Sequence, residues 1–136
     1  MTPNRKALIS VLLALSCFAT GAANAHEIKL GLLTIMHPWC RQTSGWLFGY
    51  MKIANNGTQD DRLVKVTAEI SDHVELSSAS GIPIPAGQIV KIAPDEFRIA
   101  FLQVKSKPMA NTSIRGSLSF EKAGTLQIDF EVEEPE

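Results

Sequence analysis

The chain has 136 residues, with 13 basic side chains against 14 acidic ones and a hydrophobic share of 45%. That length suits a single domain, and the absence of a basic run argues against nucleic acid as a partner. Only two cysteines occur, Cys17 and Cys40, which excludes a disulfide-stapled scaffold.

The N-terminal segment carries a sorting signal. Arg5 and Lys6 precede an apolar stretch running to Ala22, and Ala23-Asn24-Ala25 supplies the small residues that a signal peptidase reads. The strongly apolar part falls short of the ~20 residues that span a bilayer, so residues 1–25 read as a cleaved signal peptide, with no membrane span left afterwards. A weaker rival is lipidation at Cys17, after Ala14-Leu15-Ser16, although lipoprotein signals usually place a larger aliphatic residue where Ala14 stands. Cleavage after Ala25 predicts a periplasmic domain over 26–136. Arg5 and Lys6 leave with the signal, so the 13 basic residues fall to 11 against 14 acidic. Cys40 is then the sole cysteine, expected in the core. The acidic end, from Glu131 to Glu136, reads as a solvated tail.

From residue 27 onward the pattern has period two. Ile28, Leu30 and Leu32 alternate with Glu27, Lys29 and Gly31. Residues 46–54 are apolar on both faces, as in a central strand. Asn55-Asn56-Gly57-Thr58-Gln59-Asp60-Asp61 is a turn by composition. Strands are expected over 62–70, 73–77, 88–92 and 97–104, with Pro83, Pro85, Gly87 and Pro94 between them. Residues 113–120 and 125–132 form a hairpin around Glu121-Lys122-Ala123-Gly124, with Leu126, Ile128 and Phe130 facing inward. About eight short strands and no helical stripe predict an all-β sandwich or barrel.

Enzymatic signatures are missing. No Gly-x-Ser-x-Gly elbow, phosphate loop or HExxH is present, and His37 and Cys40 flanking Pro38 do not make a nucleophile and base. The chain is therefore read as a non-enzyme. Beyond the signal it holds His26, His37 and His73, and Met36, Met51 and Met109. Cu(I) prefers thioether, thiolate and imidazole ligands, and His-x-Met on a strand would make a half-site for it. No His-x-Met occurs, so each Met reads first as core filling. His26, once terminal, could chelate Cu(II) through its amine and ring, but no third ligand is evident.

Several segments together resemble the periplasmic copper chaperones of PCuAC type. His26-Glu27-Ile28-Lys29-Leu30-Gly31 and Ile35-Met36-His37-Pro38-Trp39-Cys40-Arg41 resemble the start of that family, which usually shows His-Pro-Trp-Ala-Arg. Gly49-Tyr50-Met51-Lys52-Ile53-Ala54-Asn55 is similar to its Tyr-Met-x-Ile-x-Asn strand, and Asp60-Asp61-Arg62-Leu63-Val64 to its Asp-Asp-Arg-Leu signature. Val74-Glu75-Leu76, Ile84-Pro85-Ala86-Gly87 and Phe120-Glu121-Lys122-Ala123-Gly124 follow in the family's order. The resemblance implies a cupredoxin-like β-sandwich that holds Cu(I) outside the cytoplasm and helps supply the copper A centre of cytochrome oxidase. It also implies two His-x-Met clusters and a Met-bearing loop as ligands. At the matching positions this chain has Ser77-Ser78-Ala79 and Arg98-Ile99-Ala100, and the loop shrinks to Ser80-Gly81-Ile82-Pro83.

Hydroxyl and methyl groups do not replace soft ligands, and Arg98 puts a permanent positive charge where a cation would sit. The sequence thus predicts a copper-chaperone relative whose usual site, at Ser77, Ala79, Arg98 and Ala100, is degenerate. It would act with another periplasmic protein of copper delivery or oxidase assembly. Two further readings stand beside it. One is a copper carrier with a relocated site drawn from His26, His37, His73, Met36, Met51 or Cys40. The other is a redox protein working through Cys40. No cofactor follows from the residues alone; copper is the one the resemblance raises.

Overall fold

A computed structural model describes residues 27–136. The expected signal peptide over 1–25 and its expected cleavage point, with Cys17 and His26, lie outside the described residues. Within them the chain is all-β, a cupredoxin-like sandwich of ten strands: β1 (Glu27–Leu30), β2 (Leu33–Thr43), β3 (Trp46–Asn55), β4 (Asp61–Ala68), β5 (Ser71–Leu76), β6 (Ile82–Ile84), β7 (Ile89–Ile92), β8 (Ile99–Val104), β9 (Ser113–Phe120) and β10 (Gly124–Val132). They pair in the order β1-β2-β10-β9-β4-β5-β8-β3-β7, with β6 on β4. A further β2–β3 ladder closes the sheet on itself. β10 joins β2 in parallel, Glu131 opposite Trp39 and Val132 opposite Cys40.

Two strands exceed the eight expected, and both have a physical reason for being hidden. β2 contains Pro38, which breaks the ladder, and the register of β2 on β3 shifts between Met36 and Trp39. Here His37 and Pro38 stand against the single residue Met51, and this one extra residue forms a bulge with His37 at φ 47; bulges absorb a proline in this way. β6 has only three residues and carries Pro83, too short to show a period. The alternation expected to run through Leu32 stops earlier. Gly31, at φ 58, turns the chain so that Leu30 pairs with Leu33, and Leu32 is 65% exposed.

Alternation puts one face of each strand inside. Ile35, Cys40, Ile53, Leu63, Ile99, Leu118 and Phe130 are fully buried. Ile128 and Phe130 point inward as expected, while Leu126 is half-buried at the margin. Phe130 meets Phe101 edge-on, centroids 5.3 Å apart at 83°. Gly116 lies beneath that ring. A Cβ there would come within 2.9 Å of the Phe130 side chain and 2.2 Å of the Thr67 carbonyl oxygen, so only glycine fits the close approach of β9 to β4. Of the methionines, Met51 is core, but Met109 is 68% exposed, contrary to core filling.

The segment from Asn55 to Leu63 works as scaffolding. The Asn55 side chain is buried; its amide donates to the carbonyls of Gln59 and Ile84, and its oxygen accepts from the Gly57 N–H. The Asp61 carboxylate accepts from the backbone N–H groups of Arg62, Lys122 and Ala123, tying the start of β4 to the β9–β10 loop. Asp60 accepts from the Ala86 N–H. These are backbone donors and acceptors that the turns would otherwise leave unmet.

Candidate functional site

Two grooves bring together the residues singled out from the sequence. The first lies on the outer face of β3, β5 and β8, with a volume of about 510 Å³. Strand register explains it. Ala100 of β8 stands opposite Phe48 of β3 and Glu75 of β5, so these side chains share one face. Trp46, Phe48, Leu76 and Leu102 give it an apolar floor; Glu75, Ser77 and Arg98 give it polar rims.

Ser77 and Arg98 face each other just beyond the ends of β5 and β8. The Ser77 N–H donates to the Arg98 carbonyl at 2.9 Å, and the Arg98 N–H donates to the Ser77 hydroxyl at 3.1 Å. The serine oxygen is thus engaged in closing the ladder. Ser77, Arg98 and Ala100 all line the groove; Ala79 does not, being exposed on the turn where Ser78 and Ser80 bond each other. Among the described residues, no imidazole, thioether or thiol lines this groove.

The second groove, of about 370 Å³, runs along the bulge of β2 and is lined by Met36, His37, Trp39, Tyr50, Met51 and Lys52 with Lys91 and Ile92. Trp39 and Tyr50, opposite each other across β2 and β3, stack at 3.9 Å and 8°, and the Arg41 guanidinium lies 5.0 Å from the Trp39 ring centre. The stack stiffens the wall beside the bulge. His37 is exposed, with Nε2 3.9 Å from a Glu131 carboxylate oxygen of β10. Three of the residues named for a relocated site, Met36, His37 and Met51, therefore share one groove. His73 is exposed on β5, opposite Leu102, and lines neither groove.

Cys40 points into the core with no exposed surface. Its thiol is pushed up to about 12, chiefly by burial and then by the nearby Glu133 carboxylate. Such a thiol is neither reachable nor a thiolate at neutral pH, which counts against redox or nucleophilic work. Sequence reasoning missed the walls Trp46, Phe48 and Leu102. Their signal was the every-second-residue aromatic row Trp46-x-Phe48-x-Tyr50.

The sequence profile of the LpqE-like family, described as that of a lipoprotein, matches residues 33–132. Among solved structures, the copper-bound PCuAC domain from PmoF2 superposes with a TM-score of 0.74 at 29% identity, over 81% of this chain and 99% of that one. The apo PCuAC domain from PmoF1 gives 0.76 at 28%, over 81% and 100%. A Cu(I)-form protein from Deinococcus radiodurans gives 0.64 at 15% identity, over 85% of each chain, a likeness of fold. No curated protein matches the chain.

Proposed function

The chain belongs to the LpqE-like family, and from that premise we propose that it is an exported, non-enzymatic copper-handling protein of the copper-chaperone type, whose usual Cu(I) site has been lost. In this reading residues 1–25 are the signal peptide and 26–136 the exported domain. The protein works beside another periplasmic protein in copper delivery, toward the copper A centre of cytochrome oxidase. Likeness to copper-binding PCuAC domains over nearly their full length supports the class.

One observation carries the loss of the site. The groove that holds Ser77, Arg98 and Ala100 offers a cationic guanidinium, an engaged hydroxyl and a methyl group, with no soft donor along its walls among the described residues. Cu(I) needs thioether, thiolate or imidazole ligands. A Cu(I) competition titration against a chromogenic chelator tests this. The unmodified protein binds weakly, and the variant Ser77→His, Arg98→His, Ala100→Met, restricted to the three positions that line the groove, binds at least tenfold more tightly, about 1.4 kcal/mol or more. No gain in the folded variant would overturn the placement of the family site.

A second reading is favoured by the groove shared by Met36, His37 and Met51. An imidazole and two thioethers suit Cu(I). Tight Cu(I) binding by the unmodified protein, lost in Met51→Leu, would promote this relocated carrier over the degenerate site.

A further inference from the structure

We propose that His37, Glu131 and Glu133 form a binding site for a borderline divalent cation of the Cu(II) or Zn(II) class, apart from the groove of Ser77 and Arg98. One ligand atom from each side chain lies within 4.8 Å of the others. Ligand atoms on a tetrahedral ion at ~2.0–2.2 Å stand about 3.3–3.6 Å from one another, so small rotations of three side chains close the set.

The positions are fixed by backbone rather than by loose loops. Parallel pairing sets Glu131 opposite Trp39, and the Glu133 N–H donates to the Cys40 carbonyl at 2.9 Å. Alternation along β10 turns Glu131 outward while Phe130 and Val132 turn in. On β2 the bulge re-aims His37 toward β10; its φ of 47 lies in the left-handed region, where His is several-fold enriched among non-glycine residues.

The donor set decides the class of ion. One imidazole and two carboxylates are borderline and hard ligands, which suit Cu(II) and Zn(II) and not Cu(I). Three protein ligands leave a fourth position for water or an incoming group, as in open zinc sites. On the side away from His37, Glu131 and Glu133 also line a polar groove of about 530 Å³ with Asp129, Thr112 and Ser113. The inference stands apart from the degenerate groove of Ser77 and Arg98; it shares His37 with the groove of Met36 and Met51, and its carboxylate partners separate the two.

The test is metal titration of the exported protein in a His26→Ala background, which removes any chelation by a terminal histidine. Zn(II) is followed with a fluorescent competitor and Cu(II) by electron paramagnetic resonance. One equivalent of either ion binds, and millimolar Ca(II) does not displace it. His37→Asn (Asn accepts the left-handed backbone), Glu131→Gln and Glu133→Gln each weaken binding about tenfold or more, since even outer partners of a metal site carry that much. Should a variant misfold, the parent still decides: the ring resonances of His37 shift with substoichiometric Zn(II) while those of His73 stay. Unchanged affinity in all three variants, equal binding of Ca(II), or an unmoved His37 ring would each overturn the site.

Discussion

The corner around Asn55 and Asp61 and the groove of Ser77 and Arg98 use polar side chains in opposite ways. At the corner, two side chains receive or give six hydrogen bonds to backbone groups of three separate segments. At the groove, a single hydroxyl closes one ladder rung, and Glu75 and Arg98 stay exposed. Among the residues that carry the family resemblance, Asn55 and Asp60-Asp61 build the turns. Resemblance of this kind speaks for the fold; the groove, freer of structural duty, is where two relatives can differ in what they bind.

If the corner is scaffolding, its removal is felt in stability. Asn55→Ala leaves the Ile84 carbonyl and the Gly57 N–H without their partner in a buried place, and is expected to lower unfolding free energy by about 2–4 kcal/mol in denaturant titration. Asp61→Ala removes three charge-assisted acceptor contacts that water can partly replace, with a loss of about 2 kcal/mol. Ser77→Ala, at the groove, should change stability by about 0.5 kcal/mol or less. A groove substitution as damaging as Asp61→Ala would erase the contrast.

A pH measurement sharpens it, using the thiol held in the core. Above the ordinary thiol value of 9.0 the unfolded Cys40 gives up its proton, while the folded thiol keeps it up to about 12. The unfolded chain then binds fewer protons, so this contribution is whole below pH 9.0 and is lost as pH rises toward 12, at up to ~1.4 kcal/mol per pH unit. Cys40→Ala should flatten that alkaline decline relative to the parent. An equal decline in both would place the thiol in water.

Much of the fold was legible because half-buried strands write their period into the sequence; residues 113–132 read correctly as a hairpin, with Ile128 and Phe130 inward. β2 was not legible, because the His37-Pro38 bulge shifts its phase halfway along and the two halves look like unrelated fragments. Of the candidate site, the chemical character of Ser77, Arg98 and Ala100 was visible, but the walls supplied by Trp46 and Phe48 depend on β3–β8 register. The meeting of His37 with Glu131 and Glu133 depends on a parallel pairing of strands from the two ends of the domain, which no local pattern reveals.

That pairing also governs the order in which the molecule can assemble. β2 lies early in the domain and β10 last; with the β2–β3 ladder formed between neighbours in sequence, the β2–β10 ladder completes the ring. A chain that emerges N-terminus first leaves the second half of β2 unpaired on the side away from β3 until residue 132 has arrived. Contacts so distant in sequence must overcome loop-closure entropy before they reward it, and they slow folding. Until then the half-made sheet presents unpaired backbone of the kind other strands adhere to. Closure, and with it protection from mispairing, is therefore a single late event in the birth of this protein.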